Sequence, residues 1–158
     1  MGHLIGLLVL KIIYTGTKMM KRTLFLDTSY AIALSSRNDG FHQQAINVST
    51  QIEQERANLV TTRAVILEIG NALSRLRYRH LSIALLESLE QDASIEIVPI
   101  SEPLYRRAFD LYRGRPDKDW GLTDCLSFVV MKEREISDAL TADEHFQQAG
   151  FHVLLRKT

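Results

Sequence analysis

The feature that most constrains the fold of this chain is its alternation of short apolar runs with longer helical segments. Apolar runs of strand length occur at residues 24–27, 59–62, 95–100, 139–141 and 151–155. Between them, as in residues 63–79, apolar residues recur every three or four positions, the period of an amphipathic helix. Strands that alternate with helices favour a parallel sheet covered on both faces. We therefore predict an α/β fold, a three-layer α/β/α sandwich with a mainly parallel five-stranded sheet.

The length of the chain predicts one domain, which we assign to residues 21–158. Residues 1–20 are interpreted separately, as an N-terminal extension without a role in chemistry. Their apolar segment, residues 4–13, is interrupted by one lysine and is shorter than the roughly 20 residues that span a bilayer. Met19 and Met20 stand just before the first predicted strand, so the extension is expected to reflect a mis-assigned start.

Charge and cysteine content narrow the functional class. The formal charge is zero, so the molecule as a whole is not a basic nucleic-acid binder. Any binding of RNA must therefore come from local basic patches. The single cysteine, Cys125, excludes an internal disulfide and suits a reducing compartment, so we expect a cytoplasmic protein without membrane contact. Because Cys125 lies in an apolar run, we interpret it as a core residue and not as a nucleophile.

Four acidic residues are predicted to meet at one end of the sheet. Asp27 and Asp143 each follow an apolar strand, and open α/β sheets bind ligands outside the carboxyl ends of their strands. Glu68 lies at the edge of its helix's apolar stripe, and Asp124 opens a helix with little polar surface. Carboxylates at close quarters repel, so such a cluster implies a bound cation. Divalent ions held by oxygens can cut phosphodiesters, which makes a metal-dependent nuclease the leading hypothesis.

Each acid also has a purely structural interpretation. Asp27 and Asp143 are placed to cap the helices that follow them, and Asp124 would be favoured in a first helical turn by the helix dipole. Glu68 would be a solvated helix residue. Two other enzyme classes fit less well. A phosphoacceptor receiver domain needs adjacent acids after its first strand and a late lysine, and a dehalogenase-type phosphatase needs Asp-x-Asp, whereas Ser29 occupies the third position.

Four motifs carry a resemblance to a known family. In chain order they are Leu24-Phe25-Leu26-Asp27-Thr28-Ser29, Ile66-Leu67-Glu68-Ile69, Gly121-Leu122-Thr123-Asp124-Cys125-Leu126-Ser127 and Leu140-Thr141-Ala142-Asp143-Glu144-His145-Phe146. Over about residues 22–156 the chain resembles the PIN-domain ribonucleases, especially the VapC-like toxins of type II toxin–antitoxin pairs. The resemblance implies a PIN-like sandwich, an Mg²⁺-dependent endoribonuclease that also accepts Mn²⁺, an RNA substrate, a homodimer and a cognate antitoxin. A non-catalytic RNA-binding or assembly module of the same fold is the alternative.

The resemblance also assigns residues. It implies that the catalytic metal ligands are Asp27, Glu68, Asp124 and Asp143, with Asp119 as an outer-shell or substitute member. Thr28 and Thr123 would hydrogen-bond ligand oxygens or the scissile phosphate. An all-acid set without clustered His or Cys suits Mg²⁺, bound as one or two ions. His145 is the histidine nearest to an acid, but a zinc site needs more nitrogen or sulfur ligands, so we do not expect it to bind metal.

Two basic sets are candidates for contacts with RNA. Arg75 and Arg79 are expected to share a helix edge with Glu68, and Tyr78 between them is available for stacking on bases. The alternative is that these arginines lie on a solvated helix face or bond to neighbouring acids. The full sets are Arg75, Arg77, Arg79 and His80, and Arg106, Arg107, Arg113 and Arg115.

Overall fold

In the computed structural model, which describes residues 21–156, five strands form a single sheet in which every pairing is parallel. The strands are β1 (Thr23–Leu26), β2 (Asn58–Thr62), β3 (Ile95–Val98), β4 (Asp138–Leu140) and β5 (His152–Val153). Their order across the sheet is β3-β2-β1-β4-β5, with the first strand at the centre. The predicted parallel five-stranded sheet is confirmed. The predicted N-terminal extension, residues 1–20, lies outside the described residues.

Seven α-helices in the described part of the chain flank the sheet, which confirms the predicted α/β/α sandwich. They are α1 (Thr28–Ser35), α2 (His42–Glu55), α3 (Arg63–Ala72), α4 (Arg79–Gln91), α5 (Glu102–Gly114), α6 (Leu122–Glu133) and α7 (Glu144–Gln148). A single 3₁₀ turn, Leu76–Tyr78, precedes α4. Within residues 21–156, no helix combines the length and the apolar character that crossing a bilayer requires.

The central strand brings two of the predicted acids to one edge. The side chains of Leu24, Phe25 and Leu26 are all buried, as expected for a parallel strand covered on both faces. Leu26 is in register with Leu140 at the end of β4. The two strands therefore end side by side, and the segments that follow them, which contain Asp27 and Asp143, emerge next to each other.

A cluster of aromatic rings packs α6 and α7 together at this edge of the sheet. Phe128 on α6 packs edge-on against Phe146 on α7, with ring centroids 5.0 Å apart. Trp120 and Phe151 pack against the same Phe128 ring at 5.1 Å and 5.7 Å. Buried aromatic pairs of this kind contribute stability beyond the area they bury. The starts of α6 and α7 are consequently held in a fixed relation to the sheet.

One predicted helix is wrong in its extent. The helix expected over residues 63–79 ends at Ala72, and the chain turns before α4 begins. The apolar period continues through the break, but Leu73 is buried whereas Leu76 is 88% exposed. The Ser74 amide bonds back to the Asn71 carbonyl, which closes the helix. Periodicity alone could not reveal the turn because it does not distinguish a buried leucine from an exposed one.

The break also corrects the expected positions of two arginines. Arg75 and Arg79 lie outside α3, so they do not share a helix edge with Glu68. The Arg79 guanidinium instead donates to the Ser74 carbonyl at 2.7 Å and braces the turn.

The start of α5 offers a stability test. The Ser101 hydroxyl accepts a hydrogen bond from the Leu104 amide at 3.2 Å, which caps the helix. We expect Ser101→Ala to lower the free energy of unfolding by about 1 kcal/mol, since loss of a serine cap typically has this cost. Urea denaturation would measure the change. Ser88→Ala, at an exposed position on α4, is the control and should stay within about 0.5 kcal/mol. Equal destabilisation of both variants would contradict the capping role.

Candidate active site

Four carboxylates from separate segments meet at the carboxyl edge of the sheet. Asp27 directly follows β1, and Glu68 lies on α3, which begins where β2 ends. Asp124 is in the first turn of α6, and Asp143 lies between β4 and α7. The charges of Glu68 and Asp124 act on Asp27, and those of Asp143 and Glu68 act on Asp124. The four side chains therefore form one electrostatic group, which we call the acidic pocket.

Each carboxylate of the acidic pocket accepts a hydrogen bond from a neighbouring donor. The four bonds run from Thr141 Oγ1 to Asp27 Oδ2 (2.6 Å), from Thr28 Oγ1 to Glu68 Oε2 (2.7 Å), from the Gly121 amide to Asp124 Oδ2 (2.7 Å) and from the His145 amide to Asp143 Oδ1 (2.9 Å). Asp27 accepts a further, longer bond from Ser29 Oγ at 3.3 Å. These few bonds leave acceptor capacity on every group, because an ionised carboxylate can accept about four. The protein therefore orients these carboxylates and leaves some of their acceptor positions unused.

The negative charge of the acidic pocket is not balanced by arginine or lysine. Across residues 21–156, no arginine or lysine nitrogen lies within 4.0 Å of any of the four carboxylates; such pairs involve other acids. A group of acids that lacks such partners attracts cations. This arrangement separates the pocket from the ordinary ion pairs elsewhere on the molecule.

Two of the acids show the electrostatic cost of the arrangement. Burial raises the pKa of Asp27 to about 6, with further increases from Glu68 and Asp124, while the Thr141 hydrogen bond opposes the rise. Burial also raises the pKa of Asp124, with contributions from Asp143 and Glu68. Both shifts mean that the ionised forms are disfavoured in the folded protein, and a bound cation would relieve that cost.

His145, which the sequence did not lead us to expect as a metal ligand, lies beside the acidic pocket. Its Nδ1 lies 3.4 Å from Asp124 Oδ2 and 3.4 Å from Asp143 Oδ1. Ligand atoms of these three residues all lie within 4.8 Å of one another, close enough to surround one cation. The spacing in the sequence could have indicated this position, because a residue two positions after Asp143 lies in the first turn of α7, beside the carboxylate that caps the helix.

A hydroxyl network that sequence reasoning missed links the segments after β1 and β4. The Ser29 and Thr141 hydroxyl oxygens lie 2.9 Å apart, and Ser29 accepts from the Ala142 amide at 2.9 Å. Thr141 Oγ1 accepts from the Asp143 amide at 3.0 Å while it donates to Asp27. The signal was present in the motifs, where hydroxyl residues lie within two positions of three of the acids. The network couples the position of Asp27 to that of Asp143.

The structural interpretations of the acids hold only in part. Asp143 caps α7 as expected, and Asp124 lies in a first helical turn, yet both also belong to the acidic pocket. Asp27 occupies the position before α1 but makes no side-chain capping bond. Glu68 is exposed, as expected for a solvated residue, but Thr28 holds one of its oxygens. A carboxylate can therefore cap a helix and also belong to the acidic pocket.

Three other candidates lie close to the acidic pocket in sequence. Asp119 is exposed and lines a surface cavity of about 600 Å³ that also includes Arg115 and Lys118. Thr123 is half-buried beside Asp124. The roles of Asp119 and Thr123 stay predictions. Cys125 is fully buried, and burial raises the pKa of its thiol to about 11, so the thiolate that a nucleophile requires is scarce at neutral pH.

The two basic sets differ in their partners. Each arginine of the second set pairs with an acid: Arg106 with Glu102, Arg107 with Glu133, Arg113 with Asp110 and Arg115 with Asp117. In the first set, Arg77 lies over the Tyr78 ring at 4.6 Å. None of the three arginines of the first set, Arg75, Arg77 and Arg79, has an acidic partner within the part of the chain described. Their charges are therefore the more accessible to an RNA phosphate.

Comparison with known sequences finds one family model and a curated relative. The PIN domain model matches residues 24–152. The 23S rRNA-specific endonuclease VapC20 of Mycobacterium tuberculosis is 23% identical over 128 residues, which cover 81% of this chain and 95% of the relative. The residues that the family model matches include all four carboxylates of the acidic pocket.

Solved structures with the same fold come from three bacteria. The crystal structure of M. tuberculosis VapC20, described as a sarcin–ricin loop cleaving toxin, superposes with a TM-score of 0.71 at 22% identity, covering 81% of this chain and 95% of that one. VapBC2 from Rickettsia felis, bound to a DNA fragment from its promoter, gives 0.63 at 12% identity, covering 83% and 96%. FitAcB from Neisseria gonorrhoeae gives 0.58 at 16% identity, covering 82% and 95%. At these identities the likeness establishes the fold.

Proposed function

The chain belongs to the PIN domain family, and on that premise we propose that its acidic pocket is the active site of a metal-dependent endoribonuclease. The observation that carries the proposal is the meeting of four carboxylates from four segments without an arginine or lysine partner in residues 21–156. The name of the relative, a 23S rRNA-specific endonuclease, supports RNA as the substrate class. We assign this activity to a domain of residues 21–158.

The donor set fits a hard divalent ion. The acidic pocket offers carboxylate oxygens with free acceptor capacity, and Mg²⁺ prefers such ligands while it keeps several waters. We therefore propose Mg²⁺ as the cofactor, with Mn²⁺ as a substitute, held by Asp27, Glu68, Asp124 and Asp143. When bound, the ion supplies an activated water and neutralises charge on the attacked phosphate.

The residues around the acidic pocket have separate tasks in this proposal. Thr28 holds the Glu68 carboxylate in place through its 2.7 Å hydrogen bond. Thr123, next to Asp124, contacts the scissile phosphate, and Asp119 supports the pocket from its outer side. Arg75 and Arg79 bind phosphates of the RNA strand away from the cleaved bond, since arginine suits phosphate geometry.

Removal of metal tests the proposal directly. After treatment with a chelator, the protein is expected to leave end-labelled RNA intact, and excess Mg²⁺ should restore cleavage, because no carboxylate can replace the cation at the attacked phosphate. Cleavage is followed on a denaturing gel. The Asp124→Asn variant, purified in parallel, controls for contaminating nucleases. Equal cleavage with and without metal would rule out the proposed active site.

The alternative function is a non-catalytic RNA-binding or assembly module of the same fold. Such a module would bind labelled RNA with similar affinity in the presence and absence of the pocket's carboxylates and would cut it under neither condition. The acid set argues against this alternative, because carboxylates without basic partners repel phosphate and serve an RNA-binding surface only when a cation is present. The same gel, combined with a filter-binding measurement, separates the two functions.

We also propose protein partners. A cognate antitoxin would inhibit the enzyme by placing an arginine or lysine in the acidic pocket, where the cation binds. The likeness to VapBC2 supports a partner of this class. Two copies of the chain would associate as a homodimer, and a row of exposed aromatic side chains on α5 supplies apolar surface for it: Tyr105, Phe109 and Tyr112. The buried free thiol of Cys125 agrees with action in the reducing cytoplasm.

A further inference from the structure

The imidazole of His145 contains a buried nitrogen without a hydrogen-bond partner. Its Nδ1 is shielded from solvent, and no atom of residues 21–156 bonds to it. Leaving a buried polar atom unpaired is costly, so such atoms are rare in native proteins and call for an explanation. This nitrogen lies against the Asp124 and Asp143 carboxylates, which suggests that the explanation is a ligand of the acidic pocket.

Nδ1 lies farther from the two neighbouring carboxylates than the donor of an ion-pair hydrogen bond does. A charged N–H donor approaches a carboxylate oxygen to about 2.7–2.9 Å. Here the nitrogen is 3.4 Å from Asp124 Oδ2 and equally far from Asp143 Oδ1. Asp143 Oδ1 already accepts from the main-chain amide of His145. A neutral ring with its proton on Nε2 would instead present the Nδ1 lone pair to the space that these oxygens border.

We propose that His145 Nδ1, with Asp124 and Asp143, is a direct ligand of a divalent ion in the acidic pocket and makes the pocket prefer Mn²⁺ to Mg²⁺. The geometry suits one ion, because one ligand atom from each of the three residues lies within 4.8 Å of the others. This inference rests on the proposed function, since it concerns the same metal site.

The preference follows from ligand chemistry. Mg²⁺ takes oxygen ligands and gives up its waters reluctantly, so a nitrogen adds little to its binding. Imidazole nitrogen suits first-row transition ions, and Mn²⁺ is a member of that row that shares with Mg²⁺ a preference for carboxylate ligands. A site with two carboxylates and one imidazole therefore favours Mn²⁺, whereas a site with carboxylates alone does not distinguish the two ions as strongly.

The chain provides a matched control for this role. His152 also places its Nδ1 beside an aspartate oxygen, 3.0 Å from Asp138 Oδ1. Both residues begin strands, so this pair lies at the opposite edge of the sheet from the acidic pocket. The His152 side chain is 70% exposed, and its nitrogen has a partner. Substitution of His152 thus removes a histidine that also faces an aspartate without touching the pocket.

Calorimetry on the RNA-free protein tests the affinity. We expect His145→Asn to weaken Mn²⁺ binding by at least about tenfold. Loss of a residue that only hydrogen-bonds to a metal ligand already has an effect of this size, and loss of a direct ligand should have no smaller effect. The Mg²⁺ affinity of this variant should stay within about threefold, because water takes the place of the nitrogen. His152→Asn should leave both affinities unchanged. Circular dichroism establishes that each variant is folded.

Pulsed electron paramagnetic resonance on the wild type identifies the ligand without any substitution. Bound Mn²⁺ should show coupling to a directly bound nitrogen, and labelling of histidine with ¹⁵N should change that coupling. If Mn²⁺ binds without nitrogen coupling, or if His145→Asn binds both ions as the wild type does, the role of His145 is overturned, while Mg²⁺-dependent cleavage keeps the nuclease proposal. If the wild type binds neither ion and cuts no RNA, both proposals are overturned.

Discussion

Replacing Asp124 with asparagine is expected to lower the rate of RNA cleavage by about 1,000-fold or more. Asparagine keeps an oxygen that can accept the Gly121 amide bond, so the first turn of α6 should stay intact. What it loses is the charge that, in the proposed site, would hold the cation together with Asp143 and Glu68. Metal stabilisation of a transition state contributes several kcal/mol, and about 4 kcal/mol corresponds to a factor of about 1,000 in rate. Single-turnover cleavage of labelled RNA at saturating Mg²⁺ measures the loss.

The control for this loss is Asp110→Asn, the same change on the exposed surface of α5. Asp110 pairs with Arg113 three residues later, and both side chains are largely exposed. Surface pairs of this kind contribute little, so cleavage by this variant should match the wild type. If Asp124→Asn retained more than about a tenth of the wild-type rate, the acidic pocket would not be the site of phosphodiester cleavage.

Replacing Asp27 with asparagine is expected to stabilise the metal-free protein at pH 8 while it abolishes cleavage. Burial raises the pKa of Asp27 from 3.8 to about 6, so its ionised form opposes folding at neutral and alkaline pH. Since one pKa unit corresponds to about 1.4 kcal/mol, the neutral amide should raise the free energy of unfolding by about 3 kcal/mol. Denaturant unfolding in the presence of a chelator measures it.

The direction of the pH dependence follows from the same shift. As the pH falls from 6 toward 4, folded Asp27 takes up a proton before the unfolded chain does, so the wild type gains stability. The advantage of Asp27→Asn should therefore shrink over this range and vanish below it. Mg²⁺ should stabilise the wild type more than the variant, because a ligand bound only by the folded state raises stability. A variant less stable than the wild type at pH 8 without metal would contradict this account.

The sheet and its carboxyl edge could be predicted because they depend on patterns that sequence records directly. The apolar run before Asp27 is buried on both faces, and its length and flanking turns mark a central parallel strand. The strand ends side by side with β4, so Asp143 had to emerge near Asp27. The alternation of strands and helices predicts that all strands end at one edge, and the strand order places β4 beside β1, so these acids converge.

Two features could not be predicted because they depend on local geometry that pattern does not encode. The helix after β2 ends at Ala72 although its apolar period continues to Leu76, and only the hydrogen bonds of the turn reveal the stop. The position of His145 depends on the cap that Asp143 provides for α7, which turns the first residues of that helix toward the pocket. A count of nitrogen ligands in the sequence could not show that this imidazole lies beside two of the acids.

The strand order has a consequence for synthesis of the protein on the ribosome. The part of the sheet built from β1, β2 and β3 is encoded first and can pair before α6 and β4 have been translated. A nascent chain that ends after β3 has Asp27 and Glu68 but neither Asp124 nor Asp143. If the four acids bind the cation as we propose, such an intermediate cannot cut the RNA around it, because two of the four ligands have not yet been made. Synthesis of β4 and α7 completes the enzyme, so the translation machinery meets an active nuclease only after most of the polypeptide has been made.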